Sequence, residues 1–175
     1  ILDDAFYLDP VGEDEYGDIF VKRNGDGATV KGVTMEFRAN FIRKVQVESG
    51  ITMQRSLYND KVSYSDELEG KYNFLRTPNN YGYVTINYTL SDRYNFSANL
   101  VHTGKMDLVH MAGAPEQSED EYLTSEIFNT IGLKASYIQK LKKVGVWLEY
   151  SIGVKNLTNA YQNNFDSLKN RDSNF

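Results

Sequence analysis

The chain contains no cysteine. That excludes a disulfide framework, a thiolate nucleophile and a cysteine-bound zinc cluster. Histidine occurs only twice, at His102 and His110, too few for most metal-catalytic sites. No stretch approaches the roughly 18 apolar residues of a transmembrane helix. With a mean hydropathy of −0.52, a helical membrane protein is excluded. A basic surplus is missing too: 19 Lys and Arg stand against 24 Asp and Glu, a formal charge of −5 with a pI near 5.1. Neutralising phosphates needs a basic patch, so no nucleic-acid partner is expected. Proline is scarce, at 3 in 175 residues, whereas tyrosine reaches 13 and phenylalanine 9. Aromatic-rich, proline-poor chains suit long β-strands, because aromatics fill a pleated surface and proline removes a ladder donor. No targeting signal is legible at Ile1-Leu2-Asp3. Both that start and the polar run before Phe175 read as cuts in a longer chain.

Strict alternation of apolar and polar residues marks half-buried strands. It is clearest at Val144, Val146, Leu148, Tyr150, Ile152 and Val154. It recurs at Val33 to Phe41, Val45 to Met53, Gly82 to Leu90, Phe96 to Leu100 and Ile131 to Tyr137. A weaker strand opens the chain, from Leu2 to Leu8. The connections alternate in length. Those at 10–27, 59–79, 108–126 and beyond Leu157 are long; Ile42-Arg43-Lys44, Ser91-Asp92-Arg93-Tyr94 and Gln139 to Lys143 are tight. An antiparallel meander with long loops at one rim and short turns at the other gives this pattern.

Two β architectures share period two: a soluble barrel or sandwich with its apolar face inward, and a membrane barrel with its apolar face toward lipid. Three features favour the membrane. The strands run to about 10–14 residues, where globular strands centre on about 5–6 and a tilted bilayer crossing takes about 9–11. The loop asymmetry is one-sided. Aromatics gather near strand ends, at Phe41, Tyr81, Tyr83, Tyr94, Phe96, Phe128 and Tyr137, resembling two interfacial girdles. About seven strands are legible, an odd and unclosed set. Unpaired edges are costly in lipid, so these strands are expected to belong to a larger barrel.

No catalytic constellation is present, and no enzyme is expected. Ser97, Ser136 and Ser151 lack a local His-acid partner. The carboxylate runs Asp3-Asp4, Glu13-Asp14-Glu15 and Glu119-Asp120-Glu121 read as solvated acidic surface rather than hard-cation sites, and no EF-hand spacing occurs. Asn24-Gly25-Asp26-Gly27 reads as a turn entering a strand, since no helix follows to make it a phosphate loop. His102 falls on the apolar side of its strand. His110, with Met106 and Met111, is read as a rim group rather than a haem or copper site. No cofactor or metal is assigned. Met106, His110, Met111, Tyr72 and Phe74 are the candidate ligand contacts. Glu36, Arg38, Glu48, Gln54, Lys134, Glu149 and Lys155 are expected to face a wet or plugged lumen, because Arg or Lys toward lipid costs about 2–4 kcal/mol at the midplane. Pairing across neighbouring strands is the plainest role for their charges.

Four motifs then resemble one family in order and spacing. Gly153-Val154-Lys155-Asn156-Leu157-Thr158-Asn159-Ala160-Tyr161 resembles the V-x-N-L-x-[DN]-x-x-Y signature before the last strand of TonB-dependent outer-membrane receptors, with Thr158-Asn159 in place of the usual Phe-Asp. Gly27 to Glu36 resembles an A-x-x-x-G-V-E strand, Arg76 to Tyr81 the R-x-P lead-in to a later strand, and Thr103-Gly104-Lys105-Met106 the exit of the next. The tail Lys169 to Asn174 is similar to Bacteroidetes versions. The resemblance implies an all-β, antiparallel up-and-down transmembrane β-barrel segment, part of a barrel of about 22 strands. Residues 1–175 would be the C-terminal portion of that barrel, with the plug domain and final strand outside the chain. It further implies active, TonB-energised uptake of a scarce bulky ligand: siderophore-iron, haem, cobalamin or a glycan. The implied partners are outer-membrane lipid and lipopolysaccharide, the plug and remaining strands, TonB and a surface lipoprotein. A passive outer-membrane channel, or a receptor that docks a lipoprotein, is the alternative. The long loops would face outward and the tight turns the periplasm.

Overall fold

The computed structural model describes residues 6–14, 17–25, 27–112 and 118–162. The expected loop ends at 113–117 and 163–175, the tail motif, Asp3, Asp4, Glu15 and Asp26 lie outside them. Every described element is a strand, and every pairing is antiparallel.

β1 (Phe6–Asp14) and β2 (Gly17–Asn24) form a hairpin of their own. The opening strand was expected near Leu2 to Leu8, and 10–27 was expected as a loop; β1 instead runs to Asp14 and pairs with β2, not with the main sheet. A main sheet follows: β3 (Ala28–Phe41), β4 (Val45–Val62), the short β5 (Lys71–Asn73), β6 (Asn80–Ser91), β7 (Tyr94–Thr103), β10 (Phe128–Leu141) and β11 (Val146–Val154). A second small hairpin, β8 (Asp107–His110) with β9 (Glu121–Thr124), lies within the connection from β7 to β10. The long strands pair in chain order, β3-β4-β6-β7-β10-β11, and β5 adds to the far end of β4. This is a meander. It is open among the described residues, with β3 and β11 as its edges.

Register fixes the faces. Met35 lies opposite Ile51, Val47 opposite Ile86, Ile86 opposite Ala98, Ala98 opposite Leu133, and Ala135 opposite Ile152. One face of six strands is therefore apolar without a charged residue from Val33 and Met53 down to the tight turns. The other face carries Glu36, Arg38, Glu48, Gln54, Lys134 and Glu149. Among the described residues nothing covers the apolar face: Val33 is 64% and Ile152 77% exposed. Among the described residues the buried apolar side chains are Ala28, Met106 and Leu108, all near the long-loop end. Burying one large aliphatic or aromatic side chain is worth about 1.5–3 kcal/mol. Leaving Val33, Met35, Phe37, Ile86, Leu133 and Ile152 in water forgoes on the order of 10 kcal/mol, as much as the net stability of a typical domain. This face requires an apolar environment.

The aromatics correct one expectation. On the apolar face, Tyr88 stacks with Phe96 at 6.4 Å, and Tyr94, Tyr137 and Tyr150 continue across three strands at 5.0 and 6.4 Å. Phe41 lies at the same level, opposite Val45, which lies opposite Tyr88. This is one belt, at the tight-turn end. Tyr81, Tyr83 and Phe128 make no second belt, because their parity puts them on the polar face: Tyr83 lies opposite Gly50, and Tyr81 and Phe128 both lie opposite Thr103. The Tyr83 ring occupies the space above Gly50, where an added Cβ would fall 2.7 Å from it.

The turns explain the tight rim. Between β3 and β4, Lys44 N–H donates to Phe41 O at 3.3 Å across Ile42 and Arg43, both at φ 54°. Both central residues of this turn therefore have positive φ, as in a primed turn, within a three-residue connection that lets Phe41 pair with Val45, and it is built without glycine or asparagine. At the β10–β11 turn, Val144 N–H donates to Leu141 O, and Gly145 takes φ 66°. A β-branched residue at positive φ costs on the order of 1 kcal/mol. Replacing the pair with Asn-Gly (Ile42→Asn, Arg43→Gly) should therefore raise the denaturant midpoint by the equivalent of about 1 kcal/mol. Equilibrium unfolding measures it, and an unchanged or lowered midpoint would contradict the turn assignment.

Candidate functional site

The long-loop end holds the described chain's packed layer. Three motifs noted in the sequence build its base. Gln54 on the polar face of β4 donates from its side-chain amide to Pro78 O at 3.0 Å and from its backbone to Asn79 O at 2.8 Å. This folds the Arg76–Asn80 lead-in over the sheet end. Arg76 takes φ 54° and donates its N–H to Asp107 O at 2.8 Å, tying that lead-in to β8. Gly104 N–H donates to Asn80 O at 2.8 Å. An added Cβ there would lie 2.6 Å from that oxygen, so the approach requires glycine. After β11, Asn156 adopts φ 50° and brackets a turn: its Oδ1 accepts from Ala160 N–H and its Nδ2 donates to Ala160 O, both at 2.9 Å. Leu157 N–H reaches Ile131 O at 2.8 Å, extending the β10 pairing. These bonds give the Asn-Leu pair of that motif a local structural role.

Above this base the connections 63–79 and 104–127 are held together. Ser125 is 1% exposed, and its hydroxyl accepts from Met106 N–H at 3.0 Å while its own N–H donates to Met106 O. Leu108 and Leu123 pack with Met106 into the described core. Asp107 gathers three partners across the two connections: Asn73 Nδ2 at 3.0 Å, Lys71 Nζ at 3.8 Å and Thr124 Oγ1 at 3.5 Å. Lys71 also sits 4.1 Å from the Tyr122 ring centroid, a cation–π contact. Tyr122 donates its hydroxyl to Glu69 O at 3.0 Å. Burial, with the Glu69 carboxylate nearby, pushes the Tyr122 phenol up. Phe74 stacks on Tyr58 at 4.2 Å. Tyr64, pushed up by burial and then by Tyr58, stays a neutral phenol. Asp120 closes the layer, accepting from Ala112 N–H at 2.7 Å and from the Ser65 hydroxyl. These two bonds, Ala112 first, hold its carboxyl below its ordinary value of 3.8.

The five candidate ligand contacts are distributed unevenly. Tyr72, near Lys61, and Met111 are exposed. Phe74 is half-buried against Tyr58. His110 is half-buried at the end of β8, opposite Glu121. Met106 is buried inside the hairpin, where it forms part of the wall of a small cavity. A small polar cavity of about 60 Å³ lies between the connections, lined by Ser56, Asn73, Thr77, Asn79, Lys105 and Thr124, with two of the candidate contacts, Phe74 and Met106, and Asp107 at its wall. It offers hydrogen bonds to a polar group and no nucleophile–base pair. Among the described residues no group of three His, Asp or Glu side chains could hold a metal. His102 is distant in role as well: on the apolar face its two ring nitrogens are engaged by Asn129 at 2.7 Å and Asn80 at 2.9 Å.

On the polar face two cross-strand charge pairs form as expected, while Glu36 and Lys155 have no ion pair among the described residues. Arg38 meets its direct cross-strand partner Glu48 at 3.0 Å, and Gln46 donates to the same carboxylate at 2.9 Å. Lys134 lies 3.9 Å from Glu149 on the neighbouring strand. Lys155 falls one residue past β11 and is exposed. Sequence reasoning missed Ser65, Lys71, Asp107, Tyr122 and Ser125. Asp120 was read as solvated surface, and nothing in an acidic run tells a latch from a solvated carboxylate. In comparison with known proteins, no family model matches this chain, and no curated protein sequence matches it.

The Asp120 latch has a pH signature. A carboxyl held below its ordinary value contributes stability above that value and loses it as pH falls through the lowered one. The Ala112 amide should stay protected down to about pH 4 and lose protection only below it; Asp120→Ala should abolish protection at neutral pH. Amide hydrogen exchange reads both, and protection unchanged in the variant would remove the latch.

Proposed function

We propose that this chain is a segment of the transmembrane barrel of a TonB-dependent outer-membrane receptor, which takes up a scarce bulky ligand (siderophore-iron, haem, cobalamin or a glycan) through a plugged lumen. The observation that carries the reading is the uncovered apolar face. It spans six long strands, ends in a stacked aromatic belt at the tight-turn rim, and backs onto a face of paired charges. Lipid supplies the apolar environment this face needs. Further strands would pair the β3 and β11 edges, whose free backbone groups lipid cannot satisfy. The apolar stretch of each long strand fits a tilted crossing: Val45 to Met53 is nine residues by number, and about 9–11 are needed. The four motifs and their order support the family assignment.

In mechanism, the outer loop layer captures the ligand, with Tyr72, Met111 and the polar cavity on its surface. The charged inner face contacts the plug. TonB then draws the plug into a new arrangement to open a path. No bond is made or broken in the ligand. A lipoprotein seated over the loops would act as a lid.

Fractionation and uptake test the reading together. The intact protein should be recovered in the outer membrane, and ligand uptake should stop when TonB is deleted or the inner-membrane proton gradient is collapsed. Uptake that persists without TonB would make the protein a passive channel. Recovery in a soluble fraction would sink the membrane assignment itself.

A further inference from the structure

Ser56 lies on the polar face of β4, opposite Val30 and near the long-loop end. It is only 8% exposed, and its hydroxyl has no hydrogen-bond partner among the described residues. A buried hydroxyl left unpaired is costly, so its partner belongs in the space beside it. That space is the cavity of about 60 Å³ between the two long connections, roughly twice the share of one water in the liquid. Both connections contribute to it. Asn73 spends its Nδ2 on Asp107 and keeps Oδ1 as an acceptor. Thr77 donates its hydroxyl to Leu75 O at 3.2 Å and keeps its oxygen as an acceptor. The Asn79 amide has no partner among the described residues. From the second connection come Lys105, exposed and without an ion pair among the described residues, and Asp107, whose charge Lys71 meets at 3.8 Å. Phe74, stacked on Tyr58, gives one wall an apolar surface.

The geometry points to this cavity as a ready-made subsite for an uncharged, hydroxyl-bearing end group of the captured ligand, with Ser56 as the residue that selects it. A hydroxyl both donates and accepts. It can accept from Ser56, Asn79 or Lys105 while donating to Asn73 Oδ1 or Thr77 Oγ1. An anion only accepts, so it would leave those two oxygens unanswered and lie against Asp107. It would also be repelled on approach, because nine acids stand against three bases across 63–79 and 104–127. A cation would find the carboxylate in the wall already shared by Lys71, Asn73 and Thr124. The carbon skeleton behind the hydroxyl rests on the Phe74 side. Asp107 acts through its neighbours: it holds the two connections together and is a positioning residue for the subsite. The assignment rests on the ligand-capture reading above and narrows it to the charge and hydrogen-bonding character of one end of the ligand.

The test uses the intact protein in a sugar-free detergent, with erythritol as probe and saturation-transfer NMR as the readout. The wild type should bind erythritol saturably. Ser56→Ala should weaken binding by about three- to tenfold, the loss of one neutral hydrogen bond. The Phe74 amide, which donates to the Ser56 backbone oxygen, should stay protected from exchange in that variant, which separates lost binding from lost structure. Lys142→Ser, at the opposite rim, should bind as wild type. Succinate and 1,4-diaminobutane, four-carbon probes carrying negative and positive ends, should not displace erythritol. No saturable binding by the wild type, or equal binding by Ser56→Ala, overturns the subsite. Displacement by either charged probe overturns the uncharged class. Failure of the functional reading is separate: uptake that persists without TonB overturns that reading and leaves erythritol binding standing, whereas TonB-dependent uptake without erythritol binding overturns the subsite alone.

Discussion

A pleated strand sends successive side chains to opposite faces, and in this chain that geometry divides an apolar surface from a polar one. From Val33 to Phe41 and from Val45 to Met53, odd-numbered residues share an apolar surface and even-numbered ones a polar surface, and the register carries the division through β6, β7, β10 and β11 without a slip of face. A one-residue slip would place Arg38 and Glu48 among Met35 and Ile51. The ion pair of Arg38 with Glu48 therefore acts on register more than on stability, because an exposed pair contributes only about 0–1 kcal/mol. The same argument covers Lys134 and Glu149.

The rest of the molecule follows from that division. Short turns suffice at one rim because neighbouring strands need only reverse, and there Tyr88, Phe96, Tyr94, Tyr137 and Tyr150 mark the end of the apolar band. At the other rim the band ends on polar groups, with Asn80 and Asn129 both bonded to His102 and Lys31 beside Arg55. Beyond it the connections cannot borrow apolar cover from the sheet. They make their own core from Met106, Leu108 and Leu123 and their own polar ties through Asp107, Asp120 and Tyr122. On the function proposed above, binding chemistry would fall on the loop layer, with the strands as a wall.

The six long strands were legible because alternation over eight or more residues is a signal that tertiary contacts reinforce. Val146 to Val154 shows it with almost no break. The short strands were not. β8 and β9 have four residues each, too few to display a period, and they exist because Ser125 and Leu108 are buried against partners distant in sequence. The end of β1 beyond Leu8 and all of β2 were read as a loop because Pro10 and the acids of Glu13 and Asp14 interrupt the apolar pattern, yet β1 accommodates Pro10 beside a bulge. Nearness to a strand end also misplaced Tyr81, Tyr83 and Phe128, where parity decides the face. In the loop layer, the exposed Tyr72 and Met111 were reachable from composition. The Asp107 and Asp120 ties were not, since each joins side chains from two connections whose approach only the fold determines.

The claim that everything else rests on is that the two faces of one strand meet different solvents. These 175 residues hold no cysteine, so single thiols can be placed along them at will. On the membrane reading proposed above, with the intact protein in membranes, Val84→Cys should resist a water-soluble maleimide and, once carrying a fluorophore, be quenched by a lipid-soluble quencher. Thr85→Cys, its neighbour on the opposite face, should show no such quenching. Equal quenching at both positions, or ready aqueous labelling of Val84→Cys, would contradict the account.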